Sequence, residues 1–335
     1  MNFTDARDLT LIGKMGNSGP FYHRLDTALY PAIPRNVKVL ATQSAGLAIS
    51  FRTNSSKIVA KWCTTPRSTS DNMTAIAYEG MDLYIKRDGR WQYAGVARPQ
   101  SPTCSQSVIV ENMAPGEKEC LLFLPTYDET VSLALGIDAG ASINGAKDPF
   151  KKKIVIYGSS IVQGASASRP GLAYPARLSR ETGYHFINLG FSGSGKMEAA
   201  VAEMIAPWPA DAFVLDCVPN PSPDEVLART AELVKTIRRF HPNSPIIALQ
   251  SVAREKGNFD TMVAARVNLK DKYFKNEIEK LQRHDKNLYL ISAQGLLGND
   301  QEGTTDGIHP NDLGFDRMLR KIKPKIIEIL HRHGI

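Results

Sequence analysis

From about residue 150 onward, short β-branched runs alternate with stretches of helical spacing. That alternation limits the fold more than any other feature of this 335-residue chain. The first run, Ile154 to Tyr157, is too short for a helix, follows Lys151 to Lys153, and stops at Gly158. It reads as a buried parallel strand. Further strands are expected at Phe186–Leu189, Ala212–Asp216, Ile246–Gln250 and Leu288–Ile291. Between them lie helical patterns. One runs from Tyr174 to Glu181 before Gly183, and one starts at the capping box Ser222-Pro-Asp-Glu225. Two more cover Asp260 to about His284 and Asp312 to about His331. Strand and helix in alternation imply right-handed crossovers and an α/β domain with a parallel sheet covered by helices on both faces.

Before residue 140 the texture differs. Residues 1 to 35 carry Gly13, Gly16, Gly19, Pro20, Pro31 and Pro34 and read as an extended leader. Strands are expected at Val37–Ala41, Leu47–Arg52, Lys57–Cys63, Thr74–Tyr78, Asp82–Lys86, Arg90–Ala94, Glu119–Leu124 and Val131–Ile137. Asp88-Gly89 suits a type I′ hairpin turn. Many short strands with no helical pattern between them predict an antiparallel, jelly-roll-like β-sandwich. The domain boundaries expected are residues 1 to 145 for the sandwich with its leader and 150 to 335 for the α/β domain, with a junction over Ala141 to Phe150.

Composition excludes several classes. Hydrophobic residues are 42% and charged residues 22%, which suits a globular domain. The net charge of +7 has no basic run longer than three residues, so nucleic acid is not an expected partner. No apolar stretch is long enough to span a membrane. The N-terminus shows no signal peptide, so the chain as written reads as cytoplasmic, or periplasmic or secreted if a leader has been removed. Cys63, Cys104, Cys120 and Cys217 lack metal-ligand spacing. Buried free thiols are the favoured reading, with one disulfide among the first three as the alternative. No metal and no organic cofactor are expected, and the oligomeric state is left open.

A strand that ends in small residues presents its side chains at the carboxyl edge of a sheet, where open α/β folds bind ligands. Ser159 and Ser160 stand there. A serine nucleophile needs an imidazole to take its proton and a carboxylate to orient the imidazole. Of seven histidines, only His309 has such company, in Asp306-Gly-Ile-His-Pro-Asn-Asp312. Three residues on one turn allow Asp306 to reach the ring, although the same carboxylate could instead cap the loop. An oxyanion needs donors as well. The glycine-rich turn Asn188-Leu-Gly-Phe-Ser-Gly-Ser-Gly195 lacks phosphate-loop spacing but can aim amides at an anion. Asn220, after the third strand, can add a side-chain amide. Arg254, after the fourth strand, could reach the site and bind an acidic substrate, or be a surface arginine.

Taken together, Gly158-Ser-Ser160-Ile, Asn188-x-Gly-x-Ser-Gly193, Pro219-Asn220 and Asp306-x-x-His309 resemble the SGNH, or GDSL-type, esterase and lipase superfamily over residues 150 to 333. The resemblance implies the SGNH hydrolase fold, a three-layer α/β arrangement around a flavodoxin-like parallel sheet. It also implies Ser160 as nucleophile, His309 as base, Asp306 as its orienter, and the Ser160 amide, Gly193 and Asn220 as oxyanion donors. Ser159 stands where the family usually has aspartate, and Asn220 lies between two prolines. Gly80-Met-Asp-Leu-Tyr84, with Trp91 and Leu124-Pro-Thr-Tyr127, resembles the GxDLY-type domain that precedes some SGNH hydrolases. Tyr84, Trp91 and Tyr93 could stack on a sugar, but packing is the favoured role. The expected activity is serine-dependent removal of a small acyl group, acetyl first, from a glycan or small-molecule ester. The alternatives are a carbohydrate-binding protein with an inactive hydrolase domain, and a lipid or thioester acylhydrolase.

Overall fold

The computed structural model describes residues 1–66 and 70–335. The chain forms two compact units, each assembled from separated segments. One is Met1–Asp26 with Ala41–Lys151 and Ala167–His185, and the other is Thr27–Leu40 with Lys152–Ser166 and Phe186–Ile335.

The first unit is an antiparallel β-sandwich. Its strands are β1 (Asn2–Asp5), β2 (Thr10–Ile12), β3 (Ala48–Thr53), β4 (Ile58–Thr64), β5 (Met81–Arg87), β6 (Arg90–Ala97), β7 (Cys104–Val110), β8 (Lys118–Phe123), β9 (Thr130–Ile137) and β10 (Ile143–Gly145). One sheet has the order β1-β9-β4-β7, and the other β10-β3-β8-β5-β6 with β2 also paired to β3. Alternate residues from both sheets fill the core, among them Phe51, Trp62, Leu83, Leu122 and Leu135. The Trp62 indole donates to the Glu79 carbonyl at 3.1 Å, so its one polar group is satisfied in the core.

The opposite face of β5 and β8 is also covered. Tyr84, Leu121 and Phe123 pack there with Phe150 and with Ala176 of a helix, Tyr174–Thr182. Asp82, fully buried on that face, accepts from the Gly171 amide at 2.8 Å and lies 3.1 Å from the Arg169 guanidinium. Arg180 lies over the Tyr84 ring at 3.7 Å, and Arg169 over Tyr93 at 4.3 Å. Burial pushes the Asp82 carboxyl up against the pull of both arginines, and pushes the Tyr84 phenol up to about 12. The GxDLY stretch is thus a clamp on the segment carrying Arg169, Gly171 and Arg180. Tyr84 is a packing residue, as favoured from the sequence.

Several expectations need correction. The expected leader supplies β1 and β2; they are only four and three residues long, too short to show a strand pattern, and their backbones pair with β9 and β3. Val37–Ala41 lies in a helix, α1 (Arg35–Ala41), that starts after Pro34. Its two valines suggested a strand, but proline ahead of a first turn favours a helix. Thr74–Tyr78 is likewise a short helix, α2 (Ala75–Tyr78), with Thr74 accepting from the Ala77 amide as its cap. β7 and β10 were not expected. β7 has few large apolar residues, and β10 is only three residues long. Finally, Cys63 and Cys104, register partners on β4 and β7, form a disulfide, while Cys120 and Cys217 are buried thiols. Sequence spacing is blind to a pairing that depends on strand register.

The second unit is a five-stranded parallel sheet with helices. Its strands are β11 (Lys151–Gly158), β12 (Tyr184–Gly190), β13 (Ala212–Asp216), β14 (Ile246–Leu249) and β15 (Leu288–Ile291), in the order β12-β11-β13-β14-β15. This is the flavodoxin-like order, and its switch point falls between β11 and β13. The helices in chain order after α2 are α3 (Ser160–Gln163), α4 (Tyr174–Thr182, of the first unit), α5 (Ala199–Ile205), α6 (Pro223–Phe240), α7 (Thr261–Gln282) and α8 (Asp312–Arg332). The capping box of α6 is formed as expected by Ser222 and Glu225. Val267, Phe274 and Ile278 bury one stripe of α7 at helical spacing, and Lys270 occupies the same stripe. Among the described residues, no helix is long and apolar enough to cross a membrane.

Candidate active site

Ser160 is the first residue of α3, directly beyond β11. Ser159 caps that helix, its hydroxyl accepting from the Ile161 amide at 3.2 Å. A short strand-to-helix turn thereby holds Ser160, 6% exposed, at the carboxyl edge of the sheet. On the Gly158 side the backbone is crowded by β13. On the far side Gly190 approaches Gln163 so closely that a Cβ there would lie 2.1 Å from the Gln163 nitrogen. Only glycine lets the end of β12 press against α3.

The imidazole comes from the loop before α8. His309 Nε2 lies 2.9 Å from Ser160 Oγ, and His309 Nδ1 lies 2.7 Å from Asp306 Oδ2. Asp306 also accepts from the amides of Ile308 and His309, at 2.9 and 2.8 Å. The loop-capping role and the ring-orienting role therefore coexist on its two oxygens. A carboxylate only accepts, so Nδ1 carries the proton and Nε2 is left to accept from the serine hydroxyl.

The loop after β12 supplies Gly193. Its φ of +63° is a conformation that glycine adopts without strain, and nothing crowds the site of a Cβ. Its N–H has no protein partner among the described residues. Asn188 fixes the start of this loop, accepting from the Gly190 amide and donating to the Val162 carbonyl at 2.8 Å. Gln163 fixes its middle, accepting from the Ser192 amide at 2.9 Å. Asn220 donates its side-chain amide to the Ser194 carbonyl, tying the end of β13 to the Gly193 loop.

Ser160, Gly193, Asn220, Arg254 and His309 line one cavity of about 320 Å³. All the residues singled out in the sequence for this chemistry are therefore brought together with Asp306 behind the ring. Chemically, the arrangement can deprotonate a serine hydroxyl and offer amide donors to an oxyanion. A larger open hollow of about 560 Å³ lies beside α8, but its Arg317 is already held by Asp300 at 2.6 Å.

Four supporting residues were not singled out from the sequence. Gln163 is fully buried four residues from a helix start. Glu255 accepts from the Gly303 amide at 2.8 Å and the Thr304 hydroxyl at 2.5 Å, and Lys256 donates its amide to the Gly307 carbonyl at 2.9 Å. The segment after β14 thus grips the loop carrying Asp306 and His309. Lys270 Nζ donates to the Pro219 carbonyl at 2.7 Å, next to Asn220. A lysine on the apolar stripe of α7 was a legible signal for it.

Comparison with known proteins agrees with this architecture. Residues 151–327 match the GDSL-like lipase/acylhydrolase family. Residues 1–143 match the N-terminal GxDLY domain of SGNH-hydrolase-type esterases. A protein of Bacteroides ovatus described as a GDSL-like lipase is 54% identical, with 98% of each chain covered and a TM-score of 0.97. The salicylyl-acyltransferase SsfX3 of a tetracycline biosynthetic pathway shares the fold at 19% identity and a TM-score of 0.75, covering 98% of this chain and 97% of its own. So does an acetyl xylan esterase of Butyrivibrio proteoclasticus, at 12% identity, 98% coverage of each chain and a TM-score of 0.62. No curated protein matches. The chain belongs to the GDSL-like, SGNH-type acylhydrolase family, with a GxDLY β-sandwich at its N-terminal end.

Proposed function

We propose that the protein is a serine-dependent carboxylic ester hydrolase that removes a small acyl group, acetyl, from a carbohydrate. The observation that carries the reading is the continuous hydrogen-bond chain Ser160–His309–Asp306, opening on a cavity with amide donors. Ser160 Oγ attacks the acyl carbonyl while His309 Nε2 takes its proton. The carbonyl oxygen gains negative charge and is met by the Ser160 and Gly193 amides and the Asn220 side chain. His309 returns the proton to the departing alcohol, leaving acetyl on Ser160. Water, deprotonated by His309, then attacks the acyl-enzyme; His309 returns that proton to Ser160 Oγ as acetate departs. Every proton is accounted for by the imidazole, and the steps use only groups of the protein and water.

Cavity size supports a small acyl group. At about 320 Å³ the hollow lies at the low end of ligand-site volumes, which fits a small acyl group better than a long enclosed chain. The fold shared with an acetyl xylan esterase supports the sugar half by analogy only. The test is acetate release from acetylated sugars, with 4-nitrophenyl acetate and longer acyl esters in parallel and Ser160→Ala as control. Turnover of acetyl esters that is lost in the variant is expected. Undiminished turnover in Ser160→Ala refutes the catalytic assignment, and a preference for long acyl chains refutes the acetyl reading.

A further inference from the structure

The cavity holds a cation that the ester chemistry does not use. Arg254 lines it beside Ser160 and His309. One guanidinium nitrogen, Nη2, donates to the Pro219 carbonyl at 2.7 Å, which fixes the side chain in place. That bond satisfies one of five donors. Among the described residues, no carboxylate forms an ion pair with Arg254, and its other nitrogens have no protein hydrogen bond. The nearby carboxylate of Asp306 is already committed to His309 and two amides.

The surroundings add positive charge, opposed only in part by the Asp306 carboxylate. Lys270 donates to the same Pro219 carbonyl from below, and Arg266, one turn earlier on α7, is close enough to oppose the charge of Arg254. On the acidic side stands Asp271, whose carboxylate accepts from the Ser251 amide at 3.0 Å. A half-buried guanidinium with spare donors and no carboxylate bonded to it is costly to hold, unless a ligand supplies the anion. An anchored arginine facing the reacting serine is a pre-oriented fork for a carboxylate.

We infer that Arg254 selects substrates bearing a carboxylate, so that the ester cleaved is an O-acetylated sugar acid of the uronate class. The inference rests on the acetyl-ester reading of the same cavity. Because an acetyl group carries no second acid, the carboxylate must belong to the alcohol half. The bond broken is unchanged, and Arg254 binds and orients without exchanging a proton.

The experiment compares acetate release from an O-acetylated methyl glucuronoside and from the O-acetylated methyl glucoside that lacks only the acid group. For the wild-type protein, kcat/KM is expected to favour the acid roughly tenfold to a hundredfold, the range of one charge-assisted contact. The preference should sit mainly in KM and shrink in high salt. In Arg254→Gln the ratio should fall to near one, and in Arg254→Lys to an intermediate value. Equal use of both sugars by the wild-type protein overturns the inference while leaving ester hydrolysis standing, and needs no variant to fold. A preference that persists in folded Arg254→Gln also overturns it. Failure to release acetate from either sugar, with 4-nitrophenyl acetate still cleaved, removes the sugar-ester reading and this inference with it.

Discussion

The Pro219 carbonyl receives two cationic donors, Lys270 and Arg254, at 2.7 Å each, immediately before Asn220. Burial pushes the Lys270 ammonium down to about 8, with Arg254 and Arg266 adding repulsion and Asp271 opposing it. The folded chain therefore sheds this proton before the unfolded chain does. Between about pH 8 and the ordinary lysine range the unfolded state binds more protons, so stability rises with pH through that window. Lys270→Met should lack the rise, which urea unfolding of both proteins at pH 7 to 10 would reveal as a pH-dependent difference. A difference that stays level contradicts the buried charge. The same variant should lose roughly tenfold in kcat with KM for a neutral ester little changed, because Asn220 is less firmly aimed in the transition state. Truncating Asn220 to Ala should cost more, roughly a hundredfold in kcat, the scale of one oxyanion donor. Steady-state kinetics on 4-nitrophenyl acetate decides both. At this scale the sequence was legible where chemistry dictates residue type. Ser160, Asp306 and His309 stand in motifs whose spacing has a physical purpose. Gln163 and Glu255 were not legible, because a lone polar residue carries no mark of the backbone amide it will meet.

Elements hold the site by gripping one another's loops. Glu255, in the segment after β14, satisfies Gly303 and Thr304 in the loop that carries Asp306 and His309. Glu255→Ala should leave ester binding intact and lower kcat by roughly tenfold, since a small displacement of His309 is felt mainly in proton transfer. Unchanged kcat would show that the loop holds itself. In the sandwich, Asp82 plays the comparable part for the segment with Gly171 and Arg169. Removing one partner of a buried pair typically costs about 3–5 kcal/mol. Asp82→Ala should therefore unfold the sandwich at clearly lower temperature, by calorimetry, and a shift of only a degree or two would refute the clamp. The alternating strands and helices after residue 150 could be read because most of the strands are short apolar runs, β12 being interrupted by Asn188. The sandwich was harder. β1 and β2 are very short strands specified by the strands they pair with, and α1, mostly in the second unit, and α2 are short helices whose valines or flanking threonine mimic strand texture. In such segments tertiary pairing outweighs local preference.

At the scale of the molecule, one covalent link joins neighbouring strands of one sheet of the sandwich, Cys63 on β4 to Cys104 on β7, 41 residues apart in sequence. A loop of that length is worth about 3–4 kcal/mol by chain entropy. Melting with and without reductant should separate, and thiol counting under denaturing conditions should find two free cysteines before reduction and four after. Four free thiols at the outset would contradict the pairing. Alternation implied a parallel sheet but not its order, which followed from the family resemblance; that order brings the ends of β11 and β13 together at the switch point. The fold of the second unit thus explains why Ser160 and Asn220 meet although 60 residues separate them. The most direct measurement is peptide mapping by mass spectrometry after treatment with the acyl-transition-state mimic diethyl 4-nitrophenyl phosphate. A single adduct on the peptide carrying Ser160, absent in Ser160→Ala and much slowed in His309→Gln, is the result expected of a serine activated by His309. An unmodified Ser160, in a protein that still hydrolyses 4-nitrophenyl acetate, would contradict it.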